Sequence, residues 1–431
     1  MRISKWTVCG PGGIIDRELS RSRSARIRSS YSTLIIAFAM IVSASLMPAS
    51  SSARDAPARP PASRPATRIV LLGTEGGPAA TKFRSEPATL LIVDGATYLV
   101  DAGAGVSRQL PWSGYAPSQI QTIFITHHHI DHDSGLVSLM GLSWFDRAWS
   151  NIELPPVQIY GPPSTQYLVR TALDYLSVSE RIFRAGVPAL KKAASMFVGH
   201  DVLHDGLAYE DTHVRVTAVA NTHFHFQSKS EHGEIDKSYS YRFDTPAGSV
   251  VFTGDTGVDA AVTELAQGAD VLVSEVCATE ICGPSAQAPK SLPSELARQE
   301  EFHMTAEHLT PEDVGKMAAA AHVKVVLLTH LVSTESDDLS KVSVFVPRVK
   351  KFYSGPVVVG SDMFEYDVVK GSEGPQTGDI RTAPQVGATA KAESNPPLSA
   401  AVSAHRHDEI LFAVDRQGHG GSGDEEKGWH Q

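Results

Sequence analysis

Residues 126–135 read Thr-His-His-His-Ile-Asp-His-Asp-Ser-Gly, and they directly follow the short apolar run Ile123–Thr126. That run has the composition of a buried strand, and an extended chain places residues i and i+2 on one side. His127 and His129 therefore share a face and can point at one metal ion. Asp131 and His132 begin the turn that follows and can face a second. A solvated His-rich surface tract is the competing explanation. It fits poorly, because this tract abuts a buried run and further ligand-type residues sit at comparable places along the chain.

Those residues are Asp101, after Thr97–Val100; His223, after the alternating run Val214–Val219; Asp255, after Ser249–Thr253; and His330, after Val323–Thr329. Alone, each is weak: an Asp past a strand commonly forms a turn. Together they describe rigid strand ends aiming imidazoles and carboxylates at a common place. The expectation is two His-rich metal spheres with Asp255 between them.

The surrounding pattern is mixed. Apolar runs at Ile69–Leu72, Thr89–Val93, Thr97–Val100, Ser238–Phe243 and Val271–Ser274 are predicted strands. Asp94-Gly95 between the second and third marks a hairpin. Helices are predicted over Ser164–Leu176, Pro188–Met196, Thr256–Ala266 and Thr310–Ala321. The last opens on Thr310-Pro311-Glu312-Asp313, with a cap, a first-turn proline and acids at the positive helix end. Two batches of strands with interspersed helices predict an α/β sandwich of sheets covered by helices.

The flanks differ. A basic stretch precedes the apolar run Leu34–Met47, followed by Pro48 and small residues ending at Ala53. This reads as a signal peptide over 1–53, and it implies a periplasmic or secreted protein. The run holds 14 residues, against the roughly 20 that span a bilayer, so no stable membrane span is expected after cleavage. Residues 54–67 are a Pro/Ala-rich linker, 68–370 a globular domain, and 371–431 a low-complexity tail expected to be mostly disordered. Net charge is −10 overall, but residues 1–33 carry seven Lys/Arg and two acids, leaving the rest at −15. An acidic body argues against a general nucleic-acid binder. Cys277 and Cys282 are either one small disulfide loop or two plain loop cysteines. No G-x-S-x-G elbow and no G-x-x-x-x-G-K-[ST] loop occurs, and neither of these two cysteines has a clear histidine partner in sequence.

The sequence resembles the metallo-β-lactamase-fold hydrolase superfamily, and within it the ribonuclease Z and arylsulfatase-type branch. The matching segments are LVDAGAG (Leu99–Gly105), THHHIDHDSG (Thr126–Gly135), NTHF (Asn221–Phe224), FTGDTG (Phe252–Gly257) and LLTH (Leu327–His330). The opening LLGTEGG (Leu71–Gly77) and His308-Leu309-Thr310 are similar to that branch as well. The resemblance spans about residues 68–370. It implies a four-layer αββα sandwich and two Zn2+, with Mn2+ or Fe2+ as alternatives. His127, His129 and His223 would hold one ion; Asp131, His132 and His330 the other; Asp255 would bridge them. Asp101 becomes an acid behind the ligands. Asp131 would orient the attacking water and His308 would protonate the leaving group. His303 is a rival for that second role, and His225 is a rival to His223.

The resemblance specifies the fold better than the substrate. Export disfavours tRNA processing, and no long basic Gly/Pro-rich arm of the kind used to hold tRNA is evident. The expected partner is thus a small-molecule anionic ester, a phosphodiester or sulfate ester, with nucleic acid disfavoured and a homodimer allowed. Lactone or acyl-ester hydrolysis and a ribonuclease Z-like endonuclease are the alternatives. A non-catalytic metal-binding protein ranks last, because the ligand set is complete. Aromatic residues between the ligand motifs, among them Trp144, Trp149, Tyr167 and Phe183, are read as core more than as pocket lining.

Overall fold

The computed structural model describes residues 67–78, 81–150, 153–224, 236–283, 293–332 and 344–370. The signal segment, the linker apart from Thr67, the C-terminal tail and His225 lie outside the described residues.

Two seven-stranded sheets form the centre. The first runs β14 (Phe364–Asp367), β1 (Thr67–Gly73), β2 (Ala88–Val93), β3 (Ala96–Val100), β4 (Thr122–Phe124), β5 (Val157–Gly161), β6 (Phe197–Asp201). The second runs β13 (Val357–Val359), β12 (Val325–Val332), β11 (Val271–Cys277), β10 (Gly248–Phe252), β9 (Tyr239–Thr245), β8 (Arg215–Ala220), β7 (Gly206–Glu210). Each sheet is antiparallel across one half and parallel across the other. The helices are α1 (Val106–Trp112), α2 (Ile130–Asp133), α3 (Leu136–Ser150), α4 (Thr165–Gly186), α5 (Ala260–Leu265), α6 (Thr279–Cys282), α7 (Ser294–Ala306), α8 (Pro311–Ala320) and α9 (Phe345–Val349).

Strand periodicity of two sorts the apolar residues into three layers. Ile69, Leu71, Leu91, Tyr98 and Phe124 face inward and meet Val216, Tyr241, Phe243, Val250 and Leu327 of the second sheet. Their sequence neighbours Val70, Leu90, Leu99 and Ile123 face outward under α1, α3 and α4. Val251, Leu272, Val326 and Leu328 do the same under α5, α8 and α9. The result is the αββα sandwich, and it explains why these strands read as continuous apolar runs: both faces are covered. Phe124 lies at the centre of the inner layer, with ring contacts to Tyr160, Tyr209, Tyr241 and Phe243 at 5.1–5.8 Å. Each such aromatic pair contributes roughly 0.5–1.5 kcal/mol beyond its buried area.

Two expectations need correction. Pro188–Met196 is not a helix; only a single 3-10 turn, Ala193–Ser195, forms there. It follows the long α4, which continues ten residues past the expected end at Leu176. The aromatic residues of α3 and α4 belong to the outer layer: Trp144 is buried, while Trp149, Tyr167 and Tyr175 are exposed. Phe145 and Phe183 pack on one another at 5.2 Å. Cys277 and Cys282 form a disulfide across the start of α6, with Cα atoms 5.8 Å apart. No helix among the described residues is long and apolar enough to cross a membrane.

Candidate metal centre

The site forms where strands of both sheets end. Asp101 follows β3, His127 and His129 follow β4, His223 follows β8 and Asp255 follows β10. His330 lies within β12. Cross-sheet hydrogen bonds hold these ends together. Tyr239 N–H donates to Thr126 O at 2.9 Å, and Tyr241 O–H donates to Ile125 O at 2.9 Å. Asn221 ties two ligand loops: its side-chain amide donates to Thr253 O at 3.2 Å, and its carbonyl accepts from His223 N–H at 3.1 Å.

Local backbone geometry aims the side chains. Asp101 and His330 both have positive φ, 61° and 44°. For residues carrying a Cβ this is an uncommon, strained region, held here by the surrounding sheets. Gly254, φ 58°, makes the turn before Asp255, and a Cβ there would lie 3.0 Å from Tyr239 O. A Cβ on Gly103 would lie 2.2 Å from Asp131 O, so the DAGAG loop packs directly beneath α2. His129 occupies the N-cap position of α2 with extended φ −73° and ψ 148°, and Asp131 and His132 begin the helix. This bend turns the second half of the motif away from the first.

Two ligand groups result. Nitrogen atoms of His127, His129 and His223 lie within 4.8 Å of one another, as do ligand atoms of Asp131, His132, Asp255 and His330. Asp255 joins the groups. Its Oδ2 lies 3.9 Å from His127 Nε2 and 3.8 Å from His223 Nε2. The same oxygen is 3.5 Å from His132 Nε2 and 3.1 Å from His330 Nε2. Asp131 Oδ2 stands 3.4 Å from both His132 Nε2 and His330 Nε2. Every one of these residues except His129 is buried.

The far ring nitrogens are held from behind. His132 Nδ1 pairs with Asp101 Oδ2 at 2.9 Å, and Asp101 Oδ1 accepts from Thr126 N–H at 2.7 Å. His223 Nδ1 donates to Glu307 O at 3.0 Å. Such contacts fix the ring and turn the opposite nitrogen toward the site; that of His223, Nε2, lies 3.0 Å from His129 Nδ1. By contrast, His127 Nε2, His132 Nε2 and Asp255 Oδ1 are buried and have no hydrogen-bond partner. Unpaired buried polar atoms are costly. Facing one another across a few ångströms, they form a donor set that divalent cations would satisfy. Nitrogen and carboxylate donors suit zinc and its first-row neighbours.

Electrostatics separates the groups. Burial pushes His127 and His223 well below the ordinary imidazole range, and it lowers His129 too. Burial works the same way on His132 and His330, but nearby carboxylates outweigh it. Asp255, Asp101 and Asp131 raise His132 well above its usual value. Asp255 and Asp131 raise His330 to about 10. Burial opposes ionisation of Asp131 and Asp255, yet the facing imidazoles hold both carboxyls below the usual range.

Sequence reasoning missed Glu275. It lies inside β11, where the pairing with β12 shifts register between Ser274 and Val276. That irregularity re-aims its side chain. Glu275 Oε1 accepts from Thr256 N–H at 2.6 Å, and Oε2 meets His308 Nδ1 at 2.7 Å. An acid inside the apolar run VLVSEVC was the available signal. His308 is buried, with its ring 5.0 Å from His223 and 6.2 Å from His330. Burial alone would lower it, but Glu275 carries the net shift upward. His303, on α7, lies 5.3 Å from His223 between ring centroids, with Nδ1 on Glu307 Oε2 at 2.5 Å. His128, the middle histidine of the motif, faces away, pairing with Asp133 at 3.1 Å and Thr165 at 3.2 Å.

Residues 96–331 match the beta-lactamase superfamily domain. The chain belongs to that superfamily, and its architecture is the metallo-β-lactamase fold of a metal-dependent hydrolase. It is similar to the ribonuclease Z of Mycolicibacterium gilvum (strain PYR-GCK), 28% identical over 275 residues that cover 62% of this chain and 84% of that one. The ribonuclease Z of Mycobacterium sp. (strain KMS) is 26% identical over 309 residues, covering 70% and 96%. Among solved structures, the metallo-β-lactamase fold protein YhfI from Bacillus subtilis superposes with a TM-score of 0.50 at 19% identity. That match covers 70% of this chain and 98% of that chain.

Proposed function

We propose that the protein is an exported, binuclear zinc hydrolase of small anionic esters, phosphodiesters or sulfate esters. The observation that carries this reading is Asp255 Oδ2, placed within 3.1–3.9 Å of imidazole nitrogens from both ligand groups. His127, His129 and His223 would hold one ion, and Asp131, His132 and His330 the other. Bound there, two divalent ions would supply Lewis acidity and a water of lowered pKa. The protein's own groups do the rest. Asp131 accepts a proton from, or orients, the attacking water. Asp101 and the Glu307 carbonyl keep His132 and His223 in fixed tautomers. His308, with Nδ1 on Glu275, gives its remaining ring proton to the departing oxygen, a step worth roughly a hundred- to ten-thousand-fold.

Export is supported by the basic-then-apolar opening and by the Cys277–Cys282 disulfide, which suits an oxidising compartment. A second reading, a ribonuclease Z-like endonuclease, draws on the two mycobacterial relatives of that name. The acidic body of the chain weighs against it. One experiment separates them. Zinc-loaded protein is assayed on bis-p-nitrophenyl phosphate, p-nitrophenyl sulfate, an aryl lactone and a tRNA precursor with a 3′ extension. Turnover of the small anionic esters with the tRNA left intact is the expected result. Efficient 3′ cleavage of the tRNA would replace this reading with the endonuclease.

A further inference from the structure

Two His–Glu pairs face the metal centre, and the proposed chemistry uses one. The His308–Glu275 pair is buried among the ligands. The His303–Glu307 pair stands at the edge: the His303 side chain is 33% exposed, and α7, which carries it, has no buried residue. The ring is nonetheless fixed. Glu307 Oε2 engages Nδ1 at 2.5 Å, so the imidazole is held in one orientation with its other nitrogen left to meet a ligand. Ring centroids lie 5.0 Å from His308, 5.3 Å from His223 and 5.9 Å from His129. Ring nitrogens of His223, His303 and His308 fall within 4.8 Å of one another. Glu307 also reaches the centre through its main chain, since its carbonyl accepts from His223 Nδ1. One residue thus positions a histidine of the first ligand group and a second histidine outside it.

We propose that His303 is a substrate-contacting specificity residue. Paired with His308, it forms a two-imidazole clamp on anionic esters whose leaving group carries a further anionic acceptor, a carboxylate or a second phosphate. Glu307 is its positioning residue. The inference rests on the hydrolase reading above and names the substrate class within it. The geometry divides the labour: His308 lies over the space between the two ligand groups, beside the reacting atom. His303 lies outboard, over the three-histidine group and toward solvent, where the non-reacting part of an ester extends. A donor there binds ground state and transition state alike, so it acts on KM more than on kcat.

The test compares two phosphodiesters, methyl phenyl phosphate and methyl 4-carboxyphenyl phosphate, on zinc-loaded wild type, His303→Ala, Glu307→Gln and His308→Ala. Equilibrium binding of the inert probes phenylphosphonate and 4-carboxyphenylphosphonate is measured by calorimetry alongside, and zinc content is checked for each variant. His303→Ala should raise KM for the carboxylated ester by about tenfold, the size of a lost charge-assisted hydrogen bond, and by less than about threefold for the plain one. The carboxylated phosphonate should lose affinity in the same proportion. Glu307→Gln should show a weaker version with unchanged zinc, because the Glu307 carbonyl still holds His223. His308→Ala should lower kcat on both esters. An equal fold-change in KM for the two esters on going from wild type to His303→Ala, or a fall in kcat alone, would overturn the clamp. Failure of wild type to hydrolyse either ester would instead strike the hydrolase reading. In that case, discrimination between the two phosphonates that His303→Ala abolishes would still support the clamp, and its absence would overturn it.

Discussion

The two ligand groups each take two residues from the same ten-residue motif, yet they differ in kind. The first, His127, His129 and His223, consists of imidazoles that burial keeps neutral. The second, Asp131, His132, Asp255 and His330, sets two imidazoles against carboxylates and holds protons on them. A cation entering the first group meets free lone pairs. A cation entering the second must displace protons, and it gains two carboxylates in return. The lesson is that position along the turn decides the chemistry. Residues before the start of α2 make a neutral nitrogen sphere; residues inside it, with Asp101 behind them, make a charged one.

Asp255→Ala removes what links the groups, and it should have the largest effect. Hydrolysis should fall by more than about a hundredfold, beyond the ten- to hundredfold typical of losing a residue behind a ligand. Turnover at the wild-type rate would show that the groups act independently. Asp101→Asn sharpens the contrast. It touches His132 directly and reaches His127 only through Thr126 Oγ1, so affinity for one ion should fall about ten- to hundredfold while the other changes less. Equal loss of both ions would mean that the groups bind as one unit.

Proton release gives the smallest and most specific signal. The signs follow from the shifts. His132 and His330 are raised, so their contribution to metal-free stability is complete below about pH 6.5 and fades as pH climbs through the folded values, about 10 for His330. Asp131 and Asp255 are depressed, so theirs is present above about pH 4 and is lost on further acidification. Metal competes with the histidine protons, and metal affinity rises with pH. Zinc titrated into metal-free protein at pH 7 should release protons as the second group fills and almost none as the first fills. Calorimetry in buffers of different ionisation enthalpy reads this directly; proton-silent filling of both groups would erase the distinction.

Much of this arrangement was legible in the sequence because strand ends and ligands coincide. The apolar runs at Ile69–Leu72, Thr89–Val93 and Val323–Thr329 match β1, β2 and β12 to within a few residues. His127, Asp131, His132, His223, Asp255 and His330 were visible as polar residues ending those runs or following them. What escaped lay where local pattern and tertiary contact disagree. Glu275 is hidden in β11 by a register shift that no periodicity announces. Helix α3 escaped because its apolar residues serve the outer layer beneath α4 and carry no capping signal. The Pro188–Met196 helix failed because the chain there is spent on turns that return from the long α4 to β6. The division of labour between His303 and His308 depends on which glutamate each imidazole meets, and sequence spacing alone does not specify that.

The central claim is a pair of metal ions joined through Asp255, and counting them tests it most directly. Full-length protein, stripped with chelator, reconstituted with zinc and dialysed free of excess, should hold close to two ions per chain by atomic absorption. The same measurement on Asp255→Ala should fall well below two. A stoichiometry near zero in the wild type, or an Asp255→Ala variant that retains the full wild-type complement, would contradict the account.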